Sequence, residues 1–363
     1  FYTPREIVNY MVDESLIAYL GDTPLIRSLF ENNFSLDKNH ADDYILIADK
    51  LKNIKIIDPA CGSGAFPMGL LNRMVDILLR ISPNEKVYDL KLAIIENCIY
   101  GSDIQRIAAQ ITKLRFFISL ICSCEKDATK PNFGIPTLPN LETKFVAANS
   151  LISKKRQVSR NLFENPEIEP TKEELTRIRH EHFSAKTANR KSILREQDQI
   201  LREKLAKLLA DDEDFAPEDA KQLAAWNPYD QNAESPFFDP AWMFGVNDGF
   251  DIVIGNPPYI QLQNNGGELA KLYEPCGYKT FAKTGDIYCL FYERGYQLLK
   301  PNGHLCYITS NKWMRAGYGE KTREFFAKNT DPQLLIDFAG VKIFESATVD
   351  TNILLFALSL IHI

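Results

Sequence analysis

The sequence predicts an α/β fold with a doubly wound, mainly parallel sheet and a helical insertion. Short apolar or β-branched runs alternate with amphipathic helical stretches along most of the chain. The run Asp251-Ile-Val-Ile254 is almost wholly apolar, which is typical of a strand covered on both faces. A glycine-containing turn at 61–64 joins the first strand to a helix, at the place where open α/β sheets bind ligands.

The predicted elements follow from hydrophobic periodicity. Helices are expected over 5–20, 65–80, 86–97, 104–122, 287–299 and 318–328. Strands are expected over 54–57, 98–100, 145–148, 250–254, 304–309, 333–338 and 351–360. The helical spacing of 104–122 places a set of apolar residues on one face: Ile104, Ile107, Ala108, Ile111 and Leu114.

One long segment, 153–248, interrupts the alternation between the third and fourth strands. Its middle, about 171–209, is charged and helical, and 154–207 holds 14 Lys+Arg against 9 Asp+Glu. Charged helices are usually solvated, so a solvated helical pair is expected, with a phosphate-contacting face as the alternative. We therefore predict three parts: a first segment over 1–152, this insertion, and a last segment over 249–363.

Composition limits the class of protein. The chain has 363 residues, 45% of them hydrophobic and 25% charged, as in globular proteins. Its formal net charge of −6 argues against a wholly basic nucleic-acid binder but leaves room for a local basic patch. Neither a signal peptide nor an apolar run of roughly 18 residues is present, so no membrane association is expected. Seven scattered cysteines indicate a reducing compartment, and the Cys and His spacing does not predict a metal site.

The first chemical cluster is Asp58-Pro-Ala-Cys-Gly-Ser-Gly64. Gly62 and Gly64 let the backbone approach a ligand closely. The Gly-x-Gly-x-x-Gly pattern of dinucleotide sites is absent, and the carboxylate of Asp58 suits a ligand with a positive amine, such as a methionine-type ligand. Asp103 ends the second strand, where an acidic side chain is placed to hold ribose hydroxyls.

The second cluster is Asn256-Pro-Pro-Tyr259, directly after an apolar strand. The two prolines end the strand and stiffen the turn. The side-chain carbonyl of Asn256 and the main-chain carbonyl of Pro257 then form two acceptors for one amino group. Tyr259 offers a flat face on which a base can stack. A plain rigid turn does not explain why an amide and an aromatic ring flank the prolines.

These clusters resemble those of the N6-adenine-specific DNA methyltransferases of the gamma arrangement, above all the modification part of type IIG restriction–modification enzymes. Asp58 to Phe66 matches the S-adenosylmethionine motif, Asn256 to Tyr259 the catalytic motif, and Phe1-Tyr-Thr-Pro4 the N-terminal motif. Further family motifs are matched by Asn149-Ser-Leu151, Gly285 to Phe291, Lys300 to Gly303 and Lys342 to Phe344.

The resemblance implies a Rossmann-like, S-adenosylmethionine-dependent methyltransferase fold and a role for each matching residue. It makes 1–152 the N-terminal helix motif and cofactor-binding half and 249–363 the catalytic half of the methyltransferase domain. In the cofactor site it assigns Tyr2 and Thr3 to the methionine carboxylate, Asp58, Ala60 and Gly62 to the methionine moiety, Asp103 to the ribose, and Ile104, Asn149 and Phe291 to the cofactor adenine. In the catalytic site it assigns Asn256 and Pro257 to the target adenine, Pro258 to the rigid turn, and Tyr259 and Phe344 to the two faces of the flipped base.

The expected function is site-specific methylation of adenine N6 in double-stranded DNA, within a restriction–modification or related phage-defence system of a bacterial or archaeal cytoplasm, at the nucleoid. Two alternatives stay open: a protein glutamine N5-methyltransferase, and a non-catalytic cofactor-binding or recognition subunit. Because the chain opens on Phe1 and closes on an apolar strand, we expect a piece of a longer protein. A target-recognition domain is then expected after the last strand, and whether a nuclease domain precedes the N-terminal motif stays open.

Overall fold

The structure is a computed structural model that describes residues 2–154, 165–212, 215–230, 232–344 and 349–358. Its α-helices in these ranges are α1 (Arg5–Leu20), α2 (Pro24–Ser28), α3 (Ala41–Asn53), α4 (Ala65–Ile81), α5 (Val87–Asn97), α6 (Arg106–Ile121), α7 (Ile168–Ser184), α8 (Ala188–Asp211), α9 (Pro217–Ala225), α10 (Pro240–Phe244), α11 (Asn264–Tyr273), α12 (Ile287–Leu298) and α13 (Glu320–Asn329). Its strands are β1 (Ile56–Asp58), β2 (Ile99–Asp103), β3 (Phe145–Ala147), β4 (Phe250–Gly255), β5 (Leu299–Ser310), β6 (Thr330–Asp337) and β7 (Thr351–Leu358).

The chain divides into two compact units. The first joins Phe1–Ser102 to Asp248–Ile363, and the second is Asp103–Asn247. The first unit thus brings together two segments that are far apart in the sequence. The division at 1–152, 153–248 and 249–363 stays a prediction.

The first unit is built on a sheet whose strand order, within its described residues, is β2-β1-β4-β5-β7-β6. β1 pairs in parallel with β2 and β4, and β4 pairs in parallel with β5. β7 runs antiparallel to both β5 and β6. Because β1 and β4 are parallel neighbours, the turns that follow them emerge at the same edge of the sheet. The predicted mainly parallel α/β fold is confirmed.

The N-terminal helix α1 packs closely against α4. A Cβ atom at Gly69 would lie 2.7 Å from Val8 Cγ1, so only glycine permits this approach. Farther along the two helices, the guanidinium of Arg73 binds both carboxylate oxygens of Asp13 at 2.7 and 2.8 Å. These contacts fix α1 on the helix that follows the Gly-rich turn, and they thereby fix the N-terminal end of α1, which Thr3 precedes by two residues.

The second unit contains β3 and the helices of the insertion. α6 packs on β3, with the rings of Phe116 and Phe145 centred 4.8 Å apart. On α7 and α8, basic side chains pair with carboxylates of the same unit. The pairs are Arg177 with Glu174 and Glu181, Lys204 with Glu167, and Arg179 and Arg202 with the buried Asp198. This pairing favours the solvated helical pair over a phosphate-contacting face, although residues 155–164 of the insertion lie outside the described residues.

Most predicted elements agree with the structure to within a few residues. The largest difference is β5, which begins at Leu299 because the turn Lys300-Pro-Asn-Gly303 belongs to the strand, with Asn302 at a φ of 64°. The predicted helix 104–122 begins at Arg106, and most of its predicted apolar face is exposed to solvent. Two predicted features, Phe1 of the N-terminal motif and residues 359–360 of the last strand, lie outside the described residues.

Candidate active site

The Gly-rich turn after β1 is shaped by a buried carboxylate. Asp58 is only 2% exposed, and its Oδ1 accepts a hydrogen bond from the backbone N–H of Ala60 at 3.0 Å. Gly62 and Gly64 adopt left-handed backbone angles, with φ of 53° and 81°. Open space surrounds the position of a Cβ at Gly62, so a ligand can approach this backbone. The turn therefore has the form that the sequence predicts for a cofactor loop.

The predicted catalytic turn, Asn256-Pro-Pro-Tyr259, begins directly beside Asp58. Gly255 is the last residue of β4, and a Cβ there would lie 2.6 Å from Asp58 Oδ1. Such a distance is far below normal van der Waals contact, so the position requires glycine. The carboxylate of the cofactor loop and the first residue before Asn256 are consequently in direct contact.

Asn256 is held by the N-terminal motif. Its Nδ2 donates a hydrogen bond to Thr3 Oγ1 at 3.1 Å. Its Oδ1 is buried and accepts no hydrogen bond from any described residue. An unpaired buried carbonyl costs about 1–3 kcal/mol, so it is the kind of group that a ligand donor completes. The hydroxyl of Thr3 still has its own hydrogen to donate to another acceptor.

Tyr259 is held in place by contacts to its hydroxyl and to its ring. Its hydroxyl donates to the backbone carbonyl of Ile308 at 3.2 Å, and burial raises the pKa of this phenol well above its usual value. The rings of Tyr288 and Phe344 contact it edge to face, with centroids 5.8 and 6.4 Å away. Phe344 is 1% exposed, and the ring contact leaves no gap for a base between Tyr259 and Phe344.

Asp286 connects α12 by a hydrogen bond to the residue that follows the predicted catalytic turn. It lies at the N-cap position of α12, and its Oδ1 accepts a hydrogen bond from the backbone N–H of Ile260 at 2.8 Å. A second backbone bond joins Ile287 N to the Ile260 carbonyl at 3.0 Å. Burial raises the pKa of Asp286 to about 6, although the Ile260 N–H and the amides at the start of α12 favour the charged form. α12 also carries the buried Phe291.

Three predicted cofactor residues, Asp103, Ile104 and Asn149, belong to the second unit, and the two polar ones each stabilise a local turn. Asp103 Oδ1 accepts a hydrogen bond from Gln105 N at 2.8 Å, and the next residue, Ile104, is 59% exposed. The buried Asn149 accepts a hydrogen bond from Leu151 N at 3.2 Å. Their part in cofactor binding stays a prediction.

Within the first unit, the structure brings together Thr3, Asp58, Asn256 and Tyr259, whereas Tyr2 is 79% exposed. Sequence reasoning gave no role to Asp286, although it lies in a matched motif, or to Gly255. An acidic residue immediately before a helix is an N-cap signal, and a glycine between an apolar strand and Asn-Pro-Pro is a signal of close backbone approach.

The described residues offer neither a metal-binding cluster nor a membrane-crossing helix. They hold no group of three or more His, Cys, Asp or Glu side chains that could bind a metal ion. None of their helices combines the length and apolar character that a membrane crossing needs.

The sheet order, with an antiparallel β7 beside a parallel core, defines the class as the Rossmann-like fold of S-adenosylmethionine-dependent methyltransferases. The family follows from the sequence. The model of the Eco57I restriction-modification methylase family matches residues 97–344, more than half of the chain, and the chain belongs to this family.

Similar proteins include restriction–modification enzymes. The protein RM.MjaORFECS2P of Methanocaldococcus jannaschii is 27% identical over 98% of this chain and 35% of its own length. The type II restriction enzyme and methyltransferase RM.Eco57I of Escherichia coli is 24% identical over 84% of this chain and 24% of its own length. Among solved structures, the Type IIL restriction-modification enzyme MmeI in complex with DNA has a TM-score of 0.51, with 13% identity over 99% of this chain and 37% of that one. The chain thus spans about a third or less of these proteins.

Proposed function

We propose that this chain methylates the N6 amino group of an adenine that is flipped out of double-stranded DNA, with S-adenosylmethionine as the methyl donor. The observation that carries the proposal is the state of Asn256, whose Oδ1 is buried without a donor while Thr3 holds its Nδ2. The hydrogen bond to Thr3 orients the amide so that its oxygen is left for a ligand. An exocyclic amino group is a donor that fits this oxygen.

The catalytic turn acts on the geometry of the target nitrogen. The lone pair of an exocyclic amine is conjugated with the ring and is a poor nucleophile. Asn256 Oδ1 and the Pro257 carbonyl accept the two amino hydrogens and favour a tetrahedral nitrogen, and Pro258 keeps the turn rigid. S-adenosylmethionine supplies, when bound, a methyl group on a positively charged sulfur. The main contribution of this turn is to align the lone pair with that methyl group. The turn does not have to supply a strong general base, because the amino proton can pass to solvent after the nitrogen has attacked.

The residues of the cofactor loop fit this donor. Asp58 supplies a buried carboxylate toward a positive amine, and the backbone at Gly62 is open to close approach. The free hydrogen of the Thr3 hydroxyl suits the methionine carboxylate, with the exposed Tyr2 beside it. The family resemblance adds Ala60, Asp103, Ile104, Asn149 and Phe291 for the remaining parts of the cofactor.

The target base enters the site from DNA. Flipping costs a few kcal/mol, and stacking on Tyr259 offsets part of this cost. Phe344 is in edge contact with Tyr259, so it has to move before it can cover the second face of a base. We therefore expect Phe344 to act only after DNA binds.

We also propose that the chain is the modification part of a type IIG restriction–modification enzyme. Two relatives named as type II restriction enzyme and methyltransferase support this role. Target recognition is assigned to a segment outside these 363 residues, as is any nuclease function that the whole protein has. A cytoplasmic location at the nucleoid follows from a DNA substrate.

The test is transfer of a radiolabelled methyl group to duplex DNA, with a glutamine-containing protein as the competing acceptor. Asn256→Ala is expected to lower methylation by about 10²–10³-fold or more, because it removes an acceptor that acts in the transition state. Cofactor affinity, measured by titration, is expected to change little. Asn264→Ala, at an exposed position in α11, is the matched control and should retain full activity.

Three results would contradict the proposal. Equal loss of methylation and cofactor binding in Asn256→Ala would remove its assigned role. Label in the protein acceptor instead of DNA would favour glutamine methylation. Cofactor binding without transfer to either acceptor would favour a non-catalytic subunit.

A further inference from the structure

The insertion contains a cleft whose size and lining suit a small molecule. It lies between α7, α8, α9 and the segment around α10, and all of its lining residues belong to the second unit. Its volume, counted with its open mouth, is about 470 Å³, which is within the range of small-molecule sites. Five buried apolar side chains line it: Leu175, Leu205, Leu209, Phe215 and Leu223. The cleft can therefore take the apolar part of a ligand.

Two other side chains of the cleft carry N–H groups that lack an acceptor. Arg179 and Trp242 are 6% and 5% exposed, and neither Arg179 Nη2 nor Trp242 Nε1 donates a hydrogen bond to any described residue. The guanidinium is held rigidly, because its Nε binds Asp198 Oδ2 at 2.7 Å and its Nη1 donates to the backbone carbonyls of Trp242 and Met243. A buried donor without an acceptor costs about 1–3 kcal/mol, so a ligand with an acceptor group would be stabilised here.

The buried charges beside these donors favour an anion. Arg179 and Arg202 each bind one oxygen of the same carboxylate, Asp198, at 2.7 Å, and all three side chains are more than nine-tenths buried. Two positive charges are therefore balanced by one negative charge in a region shielded from water, where an uncompensated charge is costly. A water molecule could accept from the two N–H groups, but it would neither balance the charge nor cover the apolar side chains.

The remaining charged side chains of the cleft agree with this preference. Lys172 lines the cleft and forms an ion pair with the exposed Glu169. Asp239 also lines the cleft, but its Oδ1 already accepts a hydrogen bond from a backbone N–H of α10 at 2.8 Å. The two cations of the lining, Lys172 and Arg179, thus outnumber its single carboxylate.

We propose that this cleft binds a small aliphatic monocarboxylate. The carboxylate accepts hydrogen bonds from Arg179 Nη2 and Trp242 Nε1, and the hydrocarbon chain packs on the leucines of the lining. Both nitrogen atoms are shielded from solvent, so the carboxylate reaches them only after neighbouring side chains shift slightly. The site belongs to the insertion alone, and the proposal stands or falls independently of methyl transfer.

The experiment is isothermal titration calorimetry of the 363-residue protein at neutral pH and constant ionic strength. Three probes of equal chain length are compared: sodium hexanoate, hexan-1-ol and hexylammonium chloride. Trp242→Phe keeps an aromatic ring and removes the Nε1 donor, and Lys172→Gln removes a positive charge from the lining. The matched control is Lys204→Gln on α8, because Lys204 is ion-paired with Glu167 and is not among the described lining residues. Circular dichroism checks that each variant is folded.

The wild type is expected to bind hexanoate saturably and at least about tenfold more tightly than the alcohol or the ammonium ion, because only hexanoate brings a negative charge to the arginine. Trp242→Phe should weaken hexanoate binding by at least about fivefold, since it removes a hydrogen bond to a charged group. Lys172→Gln should weaken it by about two- to fivefold, whereas Lys204→Gln should leave it unchanged.

Three results would overturn the proposal: no saturable binding of hexanoate to the wild type, equal affinity for hexanoate and either of the other probes, and an unchanged hexanoate affinity in folded Trp242→Phe. If Trp242→Phe does not fold, the lysine pair decides. Equal hexanoate affinities of Lys172→Gln and Lys204→Gln would then place the ligand outside this cleft and refute the proposal.

Discussion

Replacement of Asp286 by asparagine is expected to stabilise the protein at pH 8. Burial raises the pKa of this carboxyl from 3.8 to about 6, so the fold favours its neutral form. A shift of roughly two units corresponds to about 3 kcal/mol, at 1.36 kcal/mol for each unit. At pH 8 the carboxylate is charged in both the folded and the unfolded chain. The folded state is therefore destabilised by the full free-energy cost of burying this charge. Asparagine is neutral and nearly isosteric, and its Oδ1 can still accept the hydrogen bond from Ile260.

The sign of the pH dependence follows from proton linkage. Between about pH 4 and pH 6, the folded chain holds a proton on Asp286 that the unfolded chain has lost. The contribution of this group to the free energy of unfolding therefore falls as the pH rises through this window. The difference between Asp286→Asn and the wild type should be largest, up to about 3 kcal/mol, at pH 8 and should approach zero near pH 4.

The assay is urea denaturation of both proteins at pH 8, 6 and 4, with the free energy of unfolding taken from linear extrapolation. Glu268→Gln, at an exposed acidic residue of α11, is the control and should change stability by less than about 0.5 kcal/mol. An Asp286→Asn protein that is equally stable or less stable at pH 8 would refute the reasoning. The outcome would then mean that the charged cap of α12 outweighs the cost of burial.

Three further substitutions test other contacts of the site. Thr3→Val removes the acceptor for Asn256 Nδ2 and should lower single-turnover methylation by about 10–100-fold, whereas Thr3→Ser should retain it; an unaffected rate in Thr3→Val would exclude the orienting role. Gly255→Ala places a Cβ 2.6 Å from Asp58 Oδ1 and should cost about 1–3 kcal/mol in urea denaturation, with weaker cofactor binding in the same preparation. Tyr259→Phe loses the hydrogen bond to Ile308, about 0.5–1.5 kcal/mol, but keeps the ring face, so its methylation should stay within a few-fold of wild type; a large loss would give the hydroxyl a chemical role.

The sequence predicted those elements in which a single pattern dominates, such as helical periodicity or a continuous apolar run. The helix expected over 5–20 is α1, Arg5–Leu20, and the apolar run before Asn256 is the buried β4. The Gly-rich turn was predictable because a strand, glycines and a helix follow each other within a few residues. Local sequence carries these features, since backbone preference and hydrophobic periodicity agree there.

Other features depend on contacts between distant segments and were not predictable. Gly255 is required by the carboxylate of Asp58, which is almost two hundred positions earlier in the chain. The elevated pKa of Asp286 depends on its burial, which periodicity does not reveal. For α6, apolar residues occur on two faces, so the sequence alone does not tell which face is buried.

The contact between Asp58 and Gly255 has a consequence for protein engineering. The proposed cofactor loop and the proposed catalytic turn touch each other across two adjacent parallel strands. A substitution that displaces either segment will therefore shift the other. Variants selected for a different methyl donor should be screened for their acceptor as well, with Gly255 kept as glycine.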